Sequence, residues 1–193
     1  MKRENQKMRA SHYFIAIPLK REIKDELARW QNDLGQHLPY QQWTYKEDFH
    51  LTLKFLGSVP NGSLEKLKSE LHLLESSPSF QLHISGLAHF GNPKHPRVLF
   101  ADVVQSKALS QVKQKVEKCA QGVGIPREKR AFHPHITLGK KWDGLPKKSE
   151  LQSFVQQYKQ KNFHMLADEV VLYKIYPEKQ PKYVCESTYR LGQ

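Results

Sequence analysis

Several features that would narrow the class of a 193-residue chain are scarce or missing here. There are two cysteines, Cys119 and Cys185, too few and too badly spaced for a disulfide framework or a thiolate zinc site. Both are expected as free thiols in a reducing, cytoplasmic setting. No apolar run approaches the roughly 18 to 20 residues that cross a bilayer, so no membrane partner is expected. The basic start, MKRENQKMRA, leads into the short apolar stretch HYFIAIPL with no signal-type apolar region or small-residue cleavage site, and residues 1–10 are expected as a flexible tail. Acidic residues are also in short supply. Nineteen Asp and Glu face 31 Lys and Arg, a formal charge of +12 that favours anionic partners such as nucleic acid or phosphate esters. Low-complexity blocks and long Pro/Ser-rich linkers are absent, which argues against independently folding domains.

What is present is an alternation of strand and helix patterns. HYFIAIPL (12–19) reads as a strand, and residues 21–36 read as an amphipathic helix with Ile23, Leu27, Trp30 and Leu34 on one face. QQWTY and residues 48–59 read as strands, broken at Pro60 to Ser63. A helix from Leu64 to about Glu75, with Ser63 as its cap, carries Leu64, Leu67, Leu71 and Leu74. Residues 80–91 and 97–104 read as a strand pair, 107–122 as a helix, 131–142 as a strand and 149–161 as a fourth helix. The C-terminal stretch is expected to end as a hairpin.

Threonine is rare as well, and its placement is informative. Two of the four threonines lie in HLTL (50–53) and HITL (135–138). The chain's own composition gives an expected number of His-x-Thr-Leu strings on the order of 0.02. The echo predicts two similar lobes within one domain, 11–193. In an extended chain His50, Thr52 and Lys54 share one side while Leu51, Leu53 and Phe55 share the other, and His135 and Thr137 repeat the design against Ile136 and Leu138. Polar side chains on central strands need partners or water, since burying them unpaired costs about 1–3 kcal/mol each. A shared wet cleft would supply both.

Imidazole titrates near pH 6.5, so one ring of a facing pair can be neutral while the other is protonated. Such a pair can deprotonate an attacking water and protonate a leaving oxygen, each role contributing about 10² to 10⁴ in rate. Threonine hydroxyls and nearby cations can stabilise charge building on a phosphoryl group, and the scheme calls for no cofactor and no metal.

The residues FIAIPL, HLTLKFLG, PRVLFADV and FHPHITLGK resemble the two-histidine (2H) phosphoesterases, and within them the bacterial RNA 2′,3′-cyclic phosphodiesterases, also called 2′-5′ RNA ligase or LigT-like proteins. The resemblance covers nearly the whole chain. It implies a two-lobed, pseudo-symmetric α+β fold with antiparallel sheets flanked by helices around a central cleft. It also implies a catalytic acid at His50, a catalytic base at His135, and phosphate binding by Thr52 and Thr137. The implied substrates are RNA with 2′,3′-cyclic phosphate ends or related small nucleotides, opened to a 2′-phosphate by a monomer, with weak reverse 2′-5′ ligation. One departure is Lys140, where the family often has Arg; lysine supplies the charge without the bidentate fork.

Simpler readings compete at several positions. His50 and His135 could be structural histidines, although that leaves the matched threonines unexplained. His133 with His135 suggests a zinc pair, weakened by Pro134 and the lack of a third ligand at suitable spacing; a rim position is the alternative. Lys140 lies five residues from His135, so it reaches the histidine's face only through a bulge or twist at Gly139. Arg97 and Arg130 are candidate contacts to an RNA tail, and Tyr13, Phe14 and Trp43 candidate stacking partners for a base. Beyond this family, the chain could be a basic RNA-binding module without turnover, though it lacks the signatures of the common RNA-binding folds.

Overall fold

The computed structural model describes residues 11–144 and 148–192, so the expected tail over residues 1–10 lies outside the described residues. Elements follow in the order β1 (His12–Pro18), α1 (Arg21–Gly35), β2 (Tyr40–Trp43), β3 (His50–Ser58), α2 (Asn61–Leu71), β4 (Phe80–Asn92) and β5 (His95–Val103). Then come α3 (Lys107–Gly122), β6 (His135–Trp142), α4 (Lys148–Tyr158), β7 (Asn162–Ala167), β8 (Glu169–Ile175) and β9 (Tyr183–Arg190). The strands form two sheets, ordered β3-β1-β8-β9 and β2-β6-β5-β4-β7, with every neighbouring pair antiparallel. This is the expected α+β architecture. Among the described residues no helix is long and apolar enough to cross a membrane.

Each motif strand pairs with the strand that opens its half of the chain, β3 with β1 and β6 with β5. The helices are exchanged between halves. Helix α1 follows β1 of the first sheet, yet its Trp30 packs against Tyr158 of α4 and Phe163 of β7, and it lies against β6 of the second. Helix α3 follows β5 of the second sheet and packs on β3 of the first and on α2. The apolar stripe read for α1 is its buried face, and Leu27 and Leu34 are fully enclosed. One apolar cluster runs through both sheets, from Ile15, Leu51 and Leu53 to Leu99, Ile136 and Leu138.

Several boundaries differ from the sequence reading, among them the start of the second motif strand, expected at residue 131 and found at His135. Helix α2 begins at Asn61, and Pro60, extended at φ −62° and ψ 147°, occupies the cap position in place of Ser63. Its carbonyl accepts from the Leu64 amide at 2.9 Å, so the turn-forming residues Asn61 to Ser63 become the first helical turn. The C-terminal stretch divides: β8 and β9 form a hairpin, whereas β7 pairs with β4 in the other sheet.

Candidate active site

The two motif strands carry the same irregularity. Between β1 and β3, Ala16 pairs with Thr52 and Ile15 with Lys54, which leaves Leu53 as an extra residue. Between β5 and β6, Phe100 pairs with Thr137 and Leu99 with Gly139, which leaves Leu138 as an extra residue. The bulge therefore falls on the leucine of His-x-Thr-Leu both times. A one-residue bulge reverses the in-and-out phase beyond it. Phe55 and Lys140, each three residues past the motif threonine, come round to the histidine side.

This phase reversal corrects one expectation. Lys54 does not share the side of His50 and Thr52; it is buried, paired with Glu117 at 2.9 Å and donating to the Pro126 carbonyl at 2.8 Å. Phe55, expected in the core, is 54% exposed and borders the cleft. Lys140 does reach the cleft, by a bulge one residue earlier than Gly139. Gly139 serves packing instead: a Cβ there would lie 3.2 Å from Tyr40 and 3.3 Å from Trp43.

His50, Thr52, Phe55, Thr137, Lys140 and Tyr183 line one hollow of about 120 Å³ between the sheets. The two imidazoles are held alike. His50 Nδ1–H donates to the Asp48 carbonyl at 2.7 Å, and His135 Nδ1–H donates to the His133 carbonyl at 2.8 Å. In both cases the carbonyl is two residues upstream, and the bond places the free lone pair of the neutral ring on Nε2. His50 Nε2 accepts from the Thr52 hydroxyl at 2.9 Å. Aromatic rings fix both planes: Phe14 at 4.7 Å and Tyr183 at 5.1 Å from His50, Phe90 at 4.9 Å and Phe100 at 5.1 Å from His135, centroid to centroid.

Burial pushes the His50 pKa down to about 4, with added repulsion from Lys140 and His135, against the raising effect of the Asp48 carbonyl. His135 is lowered for the same leading reason, and Lys140 is lowered by burial and by Lys182. Both shifts favour the neutral imidazole, and while His50 lines the hollow, His135 is not among the residues that line it. The split protonation expected from the sequence thus needs charge brought by a ligand.

Asp48 has a second task. Its buried carboxylate accepts from the amides of Lys182, at 3.0 Å, and Tyr183, at 3.2 Å, and so ties the segment before β9 over His50. His133, expected at the rim, supplies the carbonyl that orients His135, while its ring donates to Asp102 at 3.0 Å. Among the described residues no three His, Cys, Asp or Glu side chains converge as a metal-ligand set. Arg97 borders a neighbouring hollow that shares Lys140 with the cleft, and Arg130 lies in a separate hollow beside Glu117 and Glu128. Tyr13 is a core residue, Trp43 packs on Tyr40, and Phe14 is the one stacking candidate that reaches the cleft.

Asp48, Gln31, Phe90 and Tyr183 escape the sequence reading. Two of the holding bonds go to backbone carbonyls, which no side-chain pattern announces; the common offset of three from the motif threonine was the available signal for Phe55 and Lys140.

Two antiparallel lobes with a histidine–threonine strand in each define the class of a two-lobed phosphoesterase. The chain belongs to the family described as LigT like Phosphoesterase, whose profile matches residues 17–100 and 102–183. It is 35% identical over 178 residues, 91% of its own length, to an RNA 2′,3′-cyclic phosphodiesterase of Geobacillus stearothermophilus, and spans 56% of that relative. A Bacillus subtilis protein of the same name is 29% identical over 89% of this chain and 92% of the relative. In structure it is similar to E. coli LigT complexed with 3′-AMP, with a TM-score of 0.75 at 21% identity, covering 95% of this chain and 99% of that one.

Proposed function

We propose that the chain hydrolyses 2′,3′-cyclic phosphates at RNA ends to 2′-phosphates, with His50 as acid and His135 as base and without a metal, acting as one two-lobed catalytic unit over 11–193. The observation that supports this most is the matched tethering of the two rings by carbonyls two residues upstream. His135 Nε2 takes a proton from water, whose oxygen bonds to phosphorus. The bond from phosphorus to the ribose 3′ oxygen breaks, and that oxygen takes the proton from His50 Nε2. The 2′ ester survives, and solvent returns both histidines to their starting states. Thr52, Thr137 and Lys140 stabilise the charge that builds on the non-bridging oxygens. A bound phosphate monoanion favours the imidazolium form and so loads His50 with its proton. An RNA 5′-hydroxyl in the place of water gives the reverse 2′-5′ joining, weak because water outcompetes it.

The test is turnover of a short RNA ending in a 2′,3′-cyclic phosphate, in the presence of EDTA, with the product's phosphate position identified. His50→Ala and His135→Ala are each expected to lower kcat by at least about 10²-fold. Activity lost to EDTA and restored by zinc would replace this scheme with a metal-assisted one. RNA binding without turnover would leave the paired motifs as a phosphate grip.

A further inference from the structure

Beside the cleft lies a second hollow, of about 460 Å³, bordered by His95, Arg97, Lys140, Lys141, Trp142 and Asp143. Lys140 borders both hollows, so the two are contiguous. Arg97, Lys140 and Lys141 make no ion pair with any acidic side chain among the described residues. Asp143, the acid present, accepts a hydrogen bond from Gln41. Among the described residues Lys20, Lys24, Lys46, Lys54, Lys68 and Lys113 pair with acids elsewhere, and what sets this group apart is that three cations share one hollow without such a partner.

The backbone adds an independent sign. Lys141 has φ 59°, the left-handed region, although it is not glycine and although β6 goes on to pair Trp142 with Tyr40. A bulky residue rarely adopts that conformation, and in a regular strand Lys140 and Lys141 would point to opposite faces. The kink instead lets Lys140, Lys141 and Trp142, three consecutive residues, all border the same space as Arg97 of the neighbouring strand.

We infer that this hollow holds the phosphodiester of the nucleotide preceding the cyclic end, which makes the chain selective for RNA oligonucleotides over mononucleoside cyclic phosphates. The inference rests on the phosphodiesterase reading and deepens it. A terminal nucleotide in the cleft has one further anionic connection, the 5′ phosphate that joins it to the rest of the strand, and that phosphate must leave the cleft along one of its walls. The wall carrying Lys140 continues into unpaired cations. The wall carrying Phe55 and Ile175 continues instead into an apolar hollow whose lysine, Lys174, is accompanied by Glu178.

The experiment compares adenosine 2′,3′-cyclic phosphate with a pentanucleotide ending in a 2′,3′-cyclic phosphate, for the unaltered chain and for the double variant Arg97→Gln/Lys141→Asn. Asparagine tolerates the left-handed conformation, so the backbone keeps its path. The unaltered chain is expected to favour the pentanucleotide in kcat/KM by at least about 10-fold, and the double variant to lose most of that ratio. Its salt dependence on RNA should be shallower by about 1.4 in log–log slope, for two phosphate contacts on a single strand. Equal losses on both substrates would assign the two cations to the reacting phosphate and overturn the inference, as would an unchanged ratio. If neither substrate turns over, the phosphodiesterase reading fails by itself. The same ratio is then read as dissociation constants for a 2′-phosphate-ended pentanucleotide against adenosine 2′-phosphate, where an unchanged ratio in the double variant again overturns it.

Discussion

Gln31 on α1 donates through Nε2 to the Leu138 carbonyl at 2.7 Å and to the Thr44 carbonyl at 2.9 Å. Leu138 is the extra residue of the second bulge, and Thr44 borders the cleft. A helix from one half of the chain thus holds the bulge that turns Lys140 toward the phosphate position. Gln31→Leu would leave the Thr44 carbonyl without that donor and loosen the bulge, whose Leu138 carbonyl keeps the Thr44 amide at 2.8 Å, at a cost of about 1–3 kcal/mol. The expected kinetic signature is a KM that rises more than kcat falls, because phosphate binding is disturbed while both histidines keep their own tethers. Steady-state kinetics beside thermal unfolding checks this; a loss of stability with unchanged KM would assign Gln31 to the scaffold alone.

The pH dependence should separate free chain from complex. The proposed scheme needs His50 protonated and His135 neutral. Burial pushes His50 down to about 4, and a bound phosphate anion would raise it. The limb on which activity falls as pH rises, through loss of the His50 proton, therefore lies at lower pH in kcat/KM than in kcat. Full pH profiles of both constants are the check. Coincident optima, or a kcat/KM optimum on the alkaline side, would speak against this proton assignment.

Lys140 contributes to the His50 shift after burial, and it faces the same hollow. Lys140→Ala should lower kcat/KM by at least about 10-fold and let the His50 ring take up its proton at a higher pH. Lys140→Arg, which restores the residue common in the family, should keep activity at or above that of the unaltered chain. Histidine ring resonances followed by NMR titration give the second readout, and an unmoved His50 titration in Lys140→Ala would show that the two groups do not communicate.

Asp48 is expected to matter for a reason unrelated to proton transfer. Asp48→Ala keeps the carbonyl that orients His50 but strands the amides of Lys182 and Tyr183, at about 1–3 kcal/mol. Calorimetry should show a lower Tm, and KM should rise as Tyr183 loses its seat over His50. An unchanged Tm would mean that water replaces the carboxylate.

The sequence discloses the motif strands because their chemistry is periodic: His50 and Thr52, and His135 and Thr137, stand two residues apart on one face, as the pleat requires. It misplaces Lys54 because alternation carries no mark of a bulge, and Leu53 looks like any core leucine until the register with β1 is known. Arg130 is a candidate contact to an RNA tail in the sequence, yet the connection from α3 carries it to another hollow. Contacts made by backbone carbonyls, such as those of Asp48 and His133, depend on tertiary position rather than on residue type. The lobes were legible from the repeat; the exchange of their helices was not.

That exchange makes the two halves interdependent in a specific way. With α1 lying on β6 and α3 on β3, each motif strand is braced by the other half's helix. A half chain on its own would hold a brace with nothing to brace and a strand pair with one apolar face bare. Each half therefore completes the other by lending it a helix, although β2 gives the second sheet a fifth strand that the first lacks. The cleft is the seam along which the two loans meet.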